Sequence, residues 1–151
     1  PFLVLTDLDV EYHCPPLLVD DWLPAGRHPN LIFRVAVQEV QSWVLADRQG
    51  FSRFAGVGRN EIPEDCDSIV NAKAFLLELV DRSGNRNLKL DILPRMGSTK
   101  GPFYNERLTS FVRREGRISR ARRHSESLRR TARRLRAFAP LWSPPPWSRE
   151  I

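Results

Sequence analysis

Apolar residues open the chain without interruption at Phe2, Leu3, Val4 and Leu5, and the run ends in Thr6, Asp7, Leu8 and Asp9. A short continuous run of this kind predicts a strand buried on both faces, with carboxylates at its C-terminal edge. Residues 31–37 repeat the pattern as Leu-Ile-Phe-Arg-Val-Ala-Val, a second β-branched strand. Between them, Pro15 and Pro16 lead into Leu17, Leu18, Val19, Trp22 and Leu23, and Pro24-Ala25-Gly26 breaks the run. Proline suits the first turn of a helix, so a short helix is expected over 16–23. Strand, helix, strand is a βαβ unit, so the two strands should be parallel and adjacent.

The period then changes. Val40, Trp43, Val44 and Asp47 follow helical spacing, which predicts a helix over 38–47, with a continuation to Phe54 broken at Gly50. Asn71 is placed to cap a helix bearing Ala74, Leu76, Leu77, Leu79 and Val80, stopped by Ser83-Gly84-Asn85. Residues 88–93 alternate apolar and polar and read as a strand or an extended loop; 95–101 is a Gly/Ser loop. Pro102 opens a helix through Leu108, Phe111 and Val112. Ser125 or Ser127 caps a last helix, with Leu128, Leu135 and Phe138 inward and arginines outward. Ser143-Pro144-Pro145-Pro146-Trp147 cannot be helical, so 139–151 reads as a proline-rich tail.

Length adds that 151 residues suffice for one domain with a real core. No apolar run approaches the roughly 18 residues of a membrane span, and no secretory signal is present, which predicts a cytoplasmic protein without a membrane partner. Cys14 and Cys66 stand far apart and suggest neither a disulfide framework nor a zinc ribbon. The chain opens on Pro1 rather than Met, which suggests a fragment or a processed product. Charge changes the picture most. Residues 1–100 carry 11 Lys and Arg against 14 Asp and Glu, whereas residues 101–151 carry 13 Arg against 4 Glu. An acidic body with an arginine-only tail points to a polyanion near the C-terminus; the plainer reading is a set of solvated helix faces. Some of those arginines could also pair with Glu61, Glu64, Asp65 and Asp67 of the body.

Candidate chemistry sits at the first strand. Asp7 and Asp9, two residues apart beyond a strand, can converge on one divalent cation, because open α/β sheets gather functional groups at their carboxyl ends. Otherwise one Asp caps the following turn and the other is solvated. Glu39 falls just past the second strand, so parallel pairing brings it to the same edge; a glutamate there is also an ordinary occupant of a helix N-terminus. Asp47 ends its helix, where the dipole disfavours a negative charge, and so needs a partner such as Arg48 or a backbone cap. Trp43 reads as core, and His13, His28 and His124 lack metal-ligand spacing or a neighbouring nucleophile. There is no Gly-x-Ser-x-Gly, and Gly56-x-Gly58 lacks the third glycine of a dinucleotide fingerprint.

Leu3-Val4-Leu5-Thr6-Asp7-Leu8-Asp9, followed by 34–47 with its Gln38-Glu39-Val40-Gln41-Ser42-Trp43-Val44-Leu45-Ala46-Asp47, resembles a bacterial domain family of unknown function related to the TOPRIM (topoisomerase–primase) fold. Its hallmark is a DxD strand and a Glu-x-Glu-Ala-Trp-Leu-Leu-Ala-Asp helix. Pro94-Arg95-x-Gly97-Ser98, Gly101-Pro102-x-Tyr104-Asn105 and the Ser125–Arg130 run are similar to its later blocks. Two departures stand out. Gln41 and Ser42 replace the second Glu and the Ala, and no strand with the glutamate of TOPRIM domains precedes Phe2, which suggests N-terminal truncation.

The resemblance implies an α/β fold over 1–138, a TOPRIM-like parallel sheet flanked by helices, with an arginine-rich helical segment at 113–138. It implies Mg²⁺ (or Mn²⁺) held by Asp7, Asp9 and Glu39, which would be the catalytic residues of a nuclease or related phosphodiester-transfer enzyme. Arg95, Arg129, Arg130, Arg133 and Arg134 would contact nucleic acid. A role in phage defence beside a partner such as an ATPase or defence-system subunit is implied as well. The alternatives are a catalytically inert nucleic-acid-binding module, or an interaction subunit whose arginine helix docks an acidic protein.

Overall fold

The computed structural model describes residues 1–9 and 11–141. Strand β1, Phe2–Asp7, and strand β2, Leu31–Ala36, pair in parallel from Phe2 against Leu31 to Asp7 against Ala36. Helix α1, Pro15–Trp22, connects them with proline in its first turn. Leu18 and Val19 of α1 pack on Leu8, Phe33 and Val35, and Trp22 meets the Phe33 ring edge-on at 5.8 Å. The expected βαβ unit is therefore present.

The two strands differ in burial. Ile32, Phe33, Val35 and Ala36 are buried, as a continuous apolar run predicts. In β1, Phe2 is 76% and Leu3 56% exposed, with Val4 and Leu5 exposed as well. The expectation that β1 is buried on both faces is thus corrected. Both strands of the two-stranded sheet pair on one side only, but α1 and the last helix, Glu126–Arg136, pack over β2 and leave β1 uncovered, and apolar content does not show which strand other elements will cover.

A second, larger core is helical. Helices α2 (Val40–Ala46), α3 (Arg48–Ala55), α4 (Ala72–Asp81), α5 (Arg86–Ile92) and α6 (Tyr104–Arg114) contribute Leu45, Phe51, Leu76, Leu79, Ile92 and Phe111 to it. Phe51, Phe54 and Phe111 form an aromatic cluster with centroids 5.0–5.9 Å apart. Short α7, Ile118–Ala121, and α8, Glu126–Arg136, close the fold.

The helix predicted over 38–47 spans Val40–Ala46, and the break falls at Asp47, not Gly50. Asp47 caps α3 by accepting from the Gly50 amide. Asn71 caps α4 as predicted, accepting from Ala74. Residues 88–93 are neither strand nor loop: they lie in α5 and its C-cap, and Asn85 caps the helix at the Leu88 amide. Leu88 and Ile92, four residues apart, are its buried positions, so helical spacing and a cap outweigh local alternation. Gly56 ends α3 with φ of +67°, a left-handed cap that a side chain would strain.

Ser125, rather than Ser127, caps α8 at the Leu128 amide. Its inward face is Ser127, Leu128 and Thr131. Leu135 is 43% exposed and Phe138 lies beyond the helix end, which corrects the predicted Leu128–Leu135–Phe138 stripe. Every residue from Arg133 to Ala137 is exposed, so the second half of the helix buries no apolar face. Most of the proline-rich tail predicted over 139–151 lies outside the described residues.

Candidate nucleic-acid interface

At the carboxyl ends of the two strands, the amides of Leu8 and Asp9 cross to the carbonyl of Gln38, at 2.9 and 3.1 Å. This hook holds the Asp7–Asp9 segment against the connection into α2, where the Val37–Gln38 peptide bond is cis. Asp9 takes a left-handed backbone, φ +52°, which Asp tolerates better than most residues. Asp7 Oδ1 accepts from the Val40 amide at 2.7 Å, in the first turn of α2. Glu39 is the N-cap residue of α2, but its Oε2 accepts from the Lys73 amide of α4 at 2.6 Å. Each carboxylate thus caps an element other than its own.

The parallel pairing brings Asp7, Asp9 and Glu39 into one electrostatic neighbourhood. Burial pushes the Asp7 carboxyl above its ordinary value and the charges of Asp9 and Glu39 add to that, opposed by the Val40 amide. Beside them, Gln41 Nε2 donates to the Tyr104 hydroxyl at 3.3 Å, while buried Gln41 Oε1 has no partner among the described residues. Among the described residues no three His, Cys, Asp or Glu side chains stand close enough to share a metal ion. With one oxygen each of Asp7 and Glu39 held by an amide, the residues present do not complete a divalent-cation site.

Asp47 has found a stronger partner than Arg48. Arg120 of α7 reaches it through Nε at 2.6 Å and Nη2 at 2.7 Å, and the Arg117 amide donates at 2.8 Å. Arg48 instead pairs with Glu64 and donates to the Ile62 carbonyl. Burial would raise the Asp47 carboxyl, but Arg120 and the amides of Arg117 and Gly50 outweigh it and hold it below the ordinary value.

The basic segment is where charge stays unneutralised. Of the four body acids considered as partners, Glu61 pairs with Arg82 and Glu64 with Arg48 and His124. Asp65 caps the 3-10 turn Cys66–Ser68, and Asp67 accepts from the Ser127 amide and the Ser125 hydroxyl, both at 2.7 Å. None forms an ion pair with a tail arginine among the described residues. Asp67 therefore pins the start of α8, aided by Trp43 Nε1, which donates to Ser127 Oγ at 2.7 Å. Trp43 packs against the helical core, as read from the sequence.

Arg129 and Arg130 pair with Glu126 of their own helix, exposed contacts that water and salt screen. Arg122, Arg123, Arg133, Arg134 and Arg136 form no ion pair among the described residues. A groove of about 1020 Å³ follows the α7–α8 bend, its cationic wall made by Arg122, Arg123, Arg129, Arg133 and Arg136. Glu64, Asp65 and Glu126 lie at its side. The structure divides the arginine quartet singled out from the sequence. Arg129 and Arg133 line this groove, whereas Arg130 and Arg134 line recesses against β2. Arg95 lies in the loop after α5, its Nη2 3.4 Å from the Leu90 carbonyl. Arg122 and Arg123 were not among the contacts expected from the sequence, and Arg136 was expected only on the outward side of the last helix. The Arg120–Arg123 cluster was a visible signal, but only the bend turns it towards α8.

Among the described residues no helix is long and apolar enough to cross a membrane. Comparison with protein-family models, with curated proteins and with solved structures finds no match to this chain.

Proposed function

We propose that the chain is a nucleic-acid-binding module that holds the phosphate backbone along the α7–α8 groove without reading base sequence. The observation that carries this reading is the groove wall itself. Five arginines line it, and of the three carboxylates beside them Glu64 pairs with Arg48 and His124, Asp65 caps the Cys66–Ser68 turn and Glu126 pairs with Arg129 and Arg130. Guanidinium groups suit phosphate because their donors form a planar fork, and a row of them follows a backbone rather than a base edge. Replacing Arg122, Arg123, Arg129 and Arg136 by Gln tests it. Each lost phosphate contact should lower the slope of log K against log salt by about 0.9 on duplex DNA, or about 0.7 on single strands. An unchanged slope would leave the groove a solvated surface.

The second reading, a metal-dependent nuclease of TOPRIM type, draws support from one observation. Burial raises the Asp7 carboxyl most, and the charges of Asp9 and Glu39 add to it, so three carboxylates share a field. It requires an oxygen ligand beyond these, and Asp7 and Glu39 would have to loosen their amide contacts. A rise in melting temperature with Mg²⁺ or Mn²⁺, lost in Asp7→Asn with Asp9→Asn, would favour it; no rise would remove it.

A further inference from the structure

A second cluster of unneutralised arginines lies on the opposite flank of α8, where the helix crosses β2. Arg34 projects from β2, an interior strand position fixed by pairing to β1. Its Nε donates to Thr131 Oγ1 at 3.0 Å, and Thr131 in turn donates to the Ser127 carbonyl at 2.9 Å. The guanidinium is therefore oriented from behind by a hydroxyl whose own proton is committed. Its two Nη groups have no hydrogen-bond partner and no carboxylate within 4.0 Å among the described residues. A partly buried cation in that condition is costly unless an anion meets it.

Its neighbours make the cost larger. A cavity of about 150 Å³ is lined by Arg34, by Arg27 and His28 of the loop before β2, and by Arg134 of α8, with no acidic residue in its wall. The His28 ring accepts from the Asn30 amide through Nδ1 at 3.1 Å, which leaves Nε2 as the donor of the neutral ring. Asn30 is itself fixed, exchanging two 2.7 Å hydrogen bonds with the Leu141 backbone. The next recess along α8 contains Asp20, Asp67 and Glu126, but Asp67 and Glu126 are already engaged with Ser127 and Arg130, and none of the three lines the smaller cavity.

We infer that the cavity walled by Arg27, His28, Arg34 and Arg134 is a binding site for one tetrahedral oxoanion, the phosphate of a phosphomonoester. Its volume is a few times the 30 Å³ or so of a water, room for a phosphate and little more. Arg27, His28, Arg34 and Arg134, from a loop, a strand and a helix, line it together with Leu31, Ile32 and Phe33, and the Arg134 guanidinium also stands 6.0 Å from the centroid of the Phe138 ring. Burial lowers the proton affinity of Arg34, and repulsion from Arg27, Arg130, Arg134 and Arg133 lowers it further; a bound dianion would relieve that repulsion. The site goes beyond the groove, and Arg27 and Arg34 belong to the acidic body rather than to the arginine tail.

The test uses the whole chain and inorganic phosphate, with sodium chloride at matched ionic strength as reference. The melting temperature should rise by about 5–10 °C at a hundredfold excess over Kd. Arg34→Gln should lose most of that rise, and so should Arg27→Gln, an exposed loop position whose replacement leaves the fold intact. Arg123→Gln, in the groove, should keep it; failure of the groove reading would thus leave this site standing. No rise over chloride, or an equal rise in Arg27→Gln, would overturn the proposal. Two oligonucleotides distinguish the source of the phosphate. If a 5′-phosphorylated strand binds at least about tenfold tighter than its 5′-hydroxyl twin, and Arg27→Gln removes the difference, the phosphate is a nucleic-acid end. Equal binding of the two strands beside an intact phosphate response assigns it to a small phosphorylated molecule.

Discussion

Asp47 and Arg120 show how much one residue can organise here. The carboxylate is 3% exposed at its side chain and Arg120 29%, so removing the cation strands a buried charge, whereas removing the acid frees a cation that water can reach. Arg120→Ala should therefore cost about 2–4 kcal/mol in a denaturant melt, with the remaining amides limiting the loss. The acid limb follows in sign. A carboxyl held low contributes stability that is present above its unfolded value, 3.8, and is lost as pH falls through its folded value. Asp7 has the opposite sign. Its raised carboxyl penalises the folded state as pH climbs from 3.8 through the folded value, so Asp7→Asn should stabilise the protein at pH 7 and flatten that part of the profile. Cys66 is fully buried and its thiol is pushed up to about 12, mainly by burial. A thiol reagent should label half-buried Cys14 alone in the native protein and both cysteines once it is unfolded.

At the scale of elements, α8 separates packing from charge. Leu128 is 9% exposed and Leu135 43%, so Leu128→Ala should cost about 2–4 kcal/mol while Leu135→Ala stays within about 0.5. Ser125→Ala should cost about 1 kcal/mol by uncapping the Leu128 amide. The sequence already carried the strand–helix–strand unit, the Asn71 cap and the final helix, because each announces itself within a few residues. It did not carry the burial of β1 or the inward face of α8. Phe2–Leu5 and Leu135 have the residue types of a core, and only the placement of other elements leaves them exposed. Residues 88–93 failed for another reason: six alternating residues satisfy a strand pattern, while Asn85 and the Leu88–Ile92 spacing, which decide for helix, need a longer window.

At the scale of the whole molecule, the division of charge is the feature that sequence and structure share, and the fold sharpens it. Body carboxylates are consumed locally, Asp7 on α2, Glu39 on α4, Asp67 on α8 and Asp47 on α7, while Arg123, Arg129, Arg130, Arg133, Arg134 and Arg136 are exposed. The Asp7–Glu39 neighbourhood was legible from parallel pairing alone. Its capping geometry was not, because which amide a carboxylate meets depends on the approach of distant helices. Arg34 was hidden for a like reason: nothing near it in the chain foretells α8. On the proposed function, α7 and α8 hold phosphate backbone and read no base sequence. The most direct measurement is the affinity of the intact chain for two duplexes of unrelated sequence across a salt series. Five groove arginines predict a log–log slope of about −4 to −5, and equal affinities within about twofold at every salt concentration. A slope near zero, or a preference of tenfold or more for one duplex, would contradict it.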